Sequence, residues 1–252
     1  MRYFIEFAYK GTAYLGWQSQ PDTSQTVQQT LEGALSTILR TSIALTGAGR
    51  TDAGVHARQQ FAHFDASPIA DRQKLVYNLN ACLPNDIAVN AIHEVADDAH
   101  ARFDAQRRTY EYHIHQTKNP FKKELSFQYL HRLDLGKMNQ AAQILLEYDD
   151  FECFSKVKTD VHTFICRIFE ANWIKHGDEL VFTVSADRFL RNMVRAIVGT
   201  LINVGLGKIE PEAVRDIIQS KSRSQAGFSV PAHGLYLTKI EYEYISPKTF
   251  DK

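Results

Sequence analysis

Arg107-Arg108-Thr109-Tyr110-Glu111-Tyr112-His113-Ile114-His115 is the stretch that decides the fold, because the strand grammar of the chain starts a second time here. Alternation places Arg108, Tyr110, Tyr112 and Ile114 on one face and Thr109, Glu111, His113 and His115 on the other. Upstream, residues 2–8 alternate in the same manner. Val27, Leu31, Ala34, Leu35, Ile38 and Leu39 then recur at helical spacing behind the candidate caps Ser24 and Thr26. A second strand is expected over 55–64, a short helix over 71–82 stopped by Pro84, and a third strand over 87–95. Downstream, helical spacing returns over 136–148 through Met138, Ala141, Ala142, Leu145 and Leu146. Residues 164–174 and 179–185, split by His176-Gly177-Asp178, read as a hairpin. A long helix is expected over 187–204, a short one that Pro211 opens and that ends before Lys221, and a closing strand over 235–244. The expectation is an α+β protein of two similar halves, residues 1–105 and 106–252. Their strands lie in antiparallel sheets with helices on one face, and no linker separates them, so they should share a sheet or a large interface.

Composition sets the class. A chain of 252 residues with 44% hydrophobic and 23% charged residues excludes disorder and fibre. The longest apolar stretches, such as 196–206, carry Gly, Thr or Asn and fall short of the roughly 20 residues a membrane span needs. The N-terminus, MRYFIEFAYK, has neither an apolar leader core nor a cleavage site, so a cytoplasmic location is expected. Cys82, Cys153 and Cys166 show no CxxC spacing, which points away from a disulfide framework or zinc ribbon. The 29 basic residues balance 29 acidic ones, which by itself argues against a nucleic-acid partner. The balance is uneven along the chain, however. Residues 1–105 hold 8 basic and 11 acidic residues, and the remainder 21 and 18. Residues 107–123 hold five basic residues against Glu111 alone. RNA responds to such a local field, so neutrality does not exclude it.

Four segments are candidates for chemistry. Gly47-Ala48-Gly49-Arg50-Thr51-Asp52-Ala53-Gly54-Val55-His56-Ala57 places a carboxylate on a glycine-rich loop just before a strand. Read from composition alone, Arg50 and Asp52 cap a turn. A phosphate loop fits poorly, because GK[ST] is missing and Asp52 would repel phosphate. On the long helix, Arg188, Arg191 and Arg195 fall at i, i+3 and i+7, a ridge that by itself reads as a solvated face. Arg195 lies within an otherwise apolar run, where a guanidinium needs a partner. On the 107–115 strand, basic residues beside tyrosines suit a surface that holds phosphates and stacks a base. The apolar-core alternative is preferred for Tyr112 and not for Tyr110. His113 and His115 lack a third metal ligand and read as the strand's wet face. Finally, Pro231 and Gly234 bracket a turn into the last strand.

Together these segments resemble a known family. GRTDAGVHA at 49–57, RRTYEYHI at 107–114, FLRNMVRAIVG at 189–199 and PAHGLYL at 231–237 are similar to the tRNA pseudouridine synthases of the TruA family. GTAYLGWQSQP at 11–21, TVQQTLEGAL at 26–35 and DDFECFSK at 149–156 extend the likeness over nearly the whole chain. The resemblance implies the pseudouridine synthase fold: two RRM- or ferredoxin-like halves sharing an extended, mostly antiparallel sheet, with helices on one face and a central catalytic cleft. The first half would carry the aspartate loop, and the second the tyrosine strand and the arginine helix.

It also implies a reaction and roles. Uridine is isomerised to pseudouridine without cofactor or metal: the N-glycosidic bond breaks, the uracil turns, and a carbon–carbon bond forms at C5. Asp52 would be the catalytic aspartate, acting as nucleophile on the ribose or as base toward its C2′ proton. Arg195 would pair with it, since burial alone tends to neutralise a carboxylate. Tyr110 would stack on the uracil and relay the C5 proton, Arg50 would hold the flipped nucleotide, and Leu235 would line the uracil pocket. Arg107, Arg108, Arg188 and Arg191 are the expected RNA contacts. Asp65, Lys156 and Lys158 remain open in that respect, as does Arg58, which replaces the smaller residue common after GVHA. The implied partner is the anticodon stem-loop of tRNA, bound by a homodimer, with no membrane involved. Two alternatives stand beside this reading. A non-catalytic RNA-binding protein has no need of an undersolvated carboxylate, and against an aspartate-nucleophile hydrolase of a small substrate counts the absence of a second, metal-binding carboxylate near Asp52.

Overall fold

The computed structural model describes residues 1–23, 25–156 and 163–245. Ser24 and Lys158 lie outside them. In chain order the elements are β1 (Arg2–Tyr9), α1 (Val27–Leu39), β2 (Thr46–Gly47), β3 (His56–Asp65), α2 (Arg72–Cys82), β4 (Ile87–Val95), β5 (Arg107–His115), β6 (Phe127–Gln128), α3 (Leu135–Ile144), β7 (Ile168–His176), β8 (Glu179–Ala186), α4 (Met193–Gly205), α5 (Ala213–Gln219) and β9 (Leu235–Glu241). The chain is α+β with mostly antiparallel pairing, and it divides into two compact units.

The first unit comprises Met1–Arg107 and the chain from Leu237 on. Its strands run in the order β4–β1–β3–β9. β1 is antiparallel to both neighbours, pairing Ile5 with Ala62 of β3 and with Ile92 of β4. Tyr3, Ile5, Phe7 and Tyr9 form one buried row along it. Phe4 is fully buried on the opposite face, with Tyr242 edge-on at 5.2 Å and Tyr244 at 6.0 Å. The expected closing strand therefore stops early, at Glu241. Tyr242 donates its hydroxyl to the Ala101 carbonyl at 2.5 Å and stands edge-on to both Phe4 and Phe61. α1 starts where Thr26 accepts the Gln29 amide, and α2 starts where Asp71 accepts that of Lys74.

The second unit comprises Arg108–Tyr236. Here β8 lies between β5 and β7, antiparallel to both, and the two-residue β6 runs parallel to β5. Asn139 and Gln143 of α3 bond the backbone of β7 at Trp173 and Ala171, which fixes that helix on the sheet. α4 is buried on nearly every side; of its 13 residues, only Arg195 and Asn203 escape full burial.

Three further expectations need correction. The long helix starts at Met193, not near Asp187, because its cap Asn192 sits in the left-handed region (φ 67°) and breaks helical progression there. Arg188 and Arg191 consequently precede the helix, and the three-arginine ridge at helical spacing does not exist. Leu146 is exposed, because α3 ends at Ile144 and a tighter 3-10 turn follows. His115 is buried, with only 2% of its surface exposed, not on a wet face.

Candidate active site

In the first unit, the loop that carries Asp52 is clamped from two directions. Ala48 donates its amide to Phe61 of β3 at 2.7 Å, and Gln60 donates its side-chain amide to the Gly49 carbonyl at 3.2 Å. On the far side, the Thr51 carbonyl accepts the Trp17 amide at 3.2 Å, and the Thr51 hydroxyl meets the Tyr9 hydroxyl at 2.8 Å. A tight turn closes from the Val55 amide to the Asp52 carbonyl, with Gly54 at φ 78°. Asp52 is left half-buried between a buried Thr51 and a buried Val55.

The 11–17 segment makes that clamp possible. A Cβ on Gly11 would lie 1.9 Å from the Val55 carbonyl oxygen, and one on Gly16 (φ 99°) would lie 2.8 Å from that of Thr51. Both glycines are there because the two backbones touch. The Gly11 amide donates to Nδ1 of His56, which is buried, so this histidine is a loop anchor. Sequence assigns no site role to Tyr9, Gly11, Gly16, Trp17 or Thr51, although GTAYLGWQSQP at 11–21 carries two glycines among aromatics.

In the second unit, Tyr110 and Tyr112 both face inward from β5, with 8% and 0% exposure. Phe189 stands edge-on to Tyr110 at 5.1 Å. Tyr112 donates its hydroxyl to the Pro231 carbonyl at 2.9 Å, and a Cβ on Gly234 would come within 2.7 Å of its ring. Burial pushes the Tyr112 phenol well above its usual range, partly offset by the Arg195 charge. Tyr112 is thus a core residue, as expected.

Arg195 is half-buried in the first turn of α4, where its Nε donates to the Val230 carbonyl at 2.7 Å. The Val230 amide in turn donates to the Arg195 carbonyl. The backbone around Val230 is itself fixed. Arg223 donates to the Gly227 carbonyl and to the Ser229 hydroxyl, and Asn192 donates to the same hydroxyl. Gly199 has no room for a side chain, since a Cβ would sit 1.8 Å from the Phe228 carbonyl oxygen. His233 is held below its usual pKa by burial, with Arg195 acting in the same direction. Leu235 is buried.

The remaining site candidates differ in access. Arg50, Arg58, Lys156 and Arg191 are exposed, and Arg107 and Arg188 are half-buried. Arg108 has 9% exposure and donates to the Asp187 carbonyl at 2.7 Å. Asp65 receives both Nε and NH2 of Arg2 at 2.9 Å, an ion pair that holds its carboxyl below the usual range. No group of three or more His, Cys, Asp or Glu side chains suited to a metal occurs among the described residues.

A family model described as tRNA pseudouridine synthase matches residues 6–104 and 141–243. The chain belongs to this family. Within it, the chain is similar to the tRNA pseudouridine synthase A of Parabacteroides distasonis, 51% identical over 242 residues and 96% of each chain. That of Porphyromonas gingivalis is 51% identical over 245 residues, covering 96% of this chain and 97% of the relative. That of Bacillus subtilis is 39% identical over 248 residues, covering 96% and 100%. The family match spans both the clamped aspartate loop and the α4 arginine. No helix among the described residues is long and apolar enough to cross a membrane.

Proposed function

We propose that this chain isomerises uridine to pseudouridine in the anticodon stem-loop of tRNA, with Asp52 acting on the ribose of the reacting nucleotide. The observation that carries the reading is the loop itself. Its backbone is fixed by hydrogen bonds and glycine contacts on both sides, while the Asp52 carboxylate is left half-buried at its apex. A carboxylate held this way attacks or deprotonates without first reorganising, which is what preorganised catalysis requires.

The other residues take complementary roles in the proposal. The target base must leave the helical stack, because pairing hides its glycosidic bond. Arg50, exposed beside Asp52, holds the flipped nucleotide. Tyr110 offers its ring to the uracil and a hydroxyl for the proton that leaves C5. Arg195 keeps Asp52 ionised and Leu235 lines the uracil site. Arg107, Arg108, Arg188 and Arg191 contact phosphates, with Arg191 the most accessible of the four. Residues 1–105 thus contribute the aspartate loop, and residues 106–252 the tyrosine strand and arginine helix. The enzyme works in the cytoplasm as a homodimer and needs no cofactor.

The test is incubation with unmodified tRNA transcript followed by mapping of pseudouridine. Product is expected at anticodon-arm uridines, and Asp52→Asn should abolish it while tRNA affinity stays within a few-fold. Substantial turnover by that variant would remove Asp52 from the chemistry. Tight binding with no product from the unaltered chain would favour a non-catalytic binder.

A further inference from the structure

The buried row of β1 runs Tyr3, Ile5, Phe7, Tyr9, and its last member carries a hydroxyl that packing alone does not require. The β1–β3 register slips between Phe7, opposite Gln60, and Tyr9, opposite Ala57. The extra residue lies on β3, and Tyr9 stays in the row with its ring stacked on that of Phe7 at 6.1 Å. Its hydroxyl lies 2.8 Å from the Thr51 hydroxyl, with the two residues only 5% and 8% exposed. Two buried hydroxyls cost free energy unless they satisfy one another, and a Phe–Val pair of similar shape would fill the same space without that cost. What the hydroxyl pair adds is direction. It fixes the Thr51 side chain, while the Trp17 amide fixes the Thr51 carbonyl and the Cα of Gly16 closes against that carbonyl oxygen. Thr51 is held at both ends, and the next residue is Asp52.

We propose that Tyr9 is a positioning residue for the reaction. Through Thr51 it sets the place of the Asp52 carboxylate without touching substrate, a role that rests on the reading of Asp52 as catalytic. Removing either hydroxyl leaves the fold and the tRNA-binding surface in place and loosens the loop apex. The rate of the bond-changing step falls, and substrate affinity does not.

The experiment compares single-turnover pseudouridine formation, tRNA Kd and melting temperature for wild type, Tyr9→Phe, Thr51→Val, Thr51→Ser, the Tyr9→Phe/Thr51→Val double variant and Asp52→Asn. Tyr9→Phe and Thr51→Val should each slow the single-turnover rate by about five- to tenfold at unchanged Kd. The double variant should be no slower than Tyr9→Phe, since the Tyr9–Thr51 bond is already absent in that single variant. Thr51→Ser, which keeps the hydroxyl, should restore most of the rate. If Tyr9→Phe does not fold, the Thr51→Val and Thr51→Ser pair decides alone. Rates within twofold of wild type for the hydroxyl deletions, with Asp52→Asn inactive, overturn the positioning role and leave the reading of Asp52 intact. An active Asp52→Asn overturns both. Lower melting temperatures with unaltered single-turnover rates would make the pair purely structural and would also overturn the proposal.

Discussion

Adding one methyl group at Gly11 and at Gly33 should have opposite consequences, and the difference follows from the structure. A Cβ on Gly11 would stand 1.9 Å from the Val55 carbonyl oxygen and 2.7 Å from its carbon. Relief requires the 11–17 segment and the Asp52 loop to separate by roughly 1 Å, since neither contact is a side chain that can rotate away. Overpacking of this kind costs about 1–3 kcal/mol. Weakening the bond from the Gly11 amide to His56 adds about 1 kcal/mol. At about 2–4 °C per kcal/mol for a chain of this size, Gly11→Ala should melt roughly 5–15 °C below wild type. A 1 Å displacement of a catalytic group can cost about a hundredfold in rate, so pseudouridine formation should fall by about that factor even well below the melting temperature. Gly33 lies exposed within α1 with nothing inside 4 Å of its added Cβ. There the same change removes only the helix penalty of glycine, about 0.5–1 kcal/mol, so Gly33→Ala should melt about 1–4 °C higher with unchanged activity. The assays are thermal unfolding by circular dichroism and single-turnover pseudouridine formation at 20 °C or thereabouts. A Gly11→Ala protein that melts within 2 °C or so of wild type and turns over normally would refute the argument that the two backbones are in contact.

Further predictions concern charge, capping and the α4 arginine. Burial holds His63 at a pKa of about 4, and its Nδ1 accepts the Ala101 amide at 3.1 Å. An unfolded chain binds that proton near pH 6.5, so between pH 4 and 6.5 the unfolded state carries more protons and stability rises with pH. The contribution is fully present above about pH 6.5 and is lost as pH falls toward 4, at most about 3 kcal/mol. His63→Asn, which keeps an acceptor without titrating, should flatten the pH dependence of the urea midpoint over this window, and an unchanged slope would contradict the assignment. Thr26→Ala removes the cap of α1 and should cost about 1 kcal/mol, read as a drop of about 2–4 °C in melting temperature. Arg195→Lys loses the bond from Nε to the Val230 carbonyl and the planar fork beyond it. Turnover should fall at least about tenfold with modest change in tRNA affinity, and wild-type rates would remove the arginine from the site.

Local pattern made the elements legible, including places where the structure agrees closely. The cap Thr26, the strand at Ile87–Val95 and the hairpin of β7 and β8 each follow from residues within a few positions of one another. The aspartate loop was legible as an unusual glycine-rich segment, and resemblance supplied its candidate role. The same local logic misread the start of α4. Phe189 and Leu190 continue the apolar spacing of the helix but precede it, because the left-handed Asn192 intervenes and its side chain bonds Ser229, 37 residues away.

Sequence by itself determined the α+β class, the order of the longer elements, and the family to which the chain is similar, because periodicity and short motifs are properties of neighbouring residues. Tertiary structure alone decided why Gly11 and Gly16 must be glycine, why Tyr9 carries a hydroxyl, and why Arg108 and His115 are buried. Most of those answers depend on what comes into contact from 35 or more residues away, as Val55 does for Gly11, Thr51 for Gly16 and Tyr9, and Asp187 for Arg108. A period of 2 or 3.6 says which way a side chain points and nothing about what will meet it.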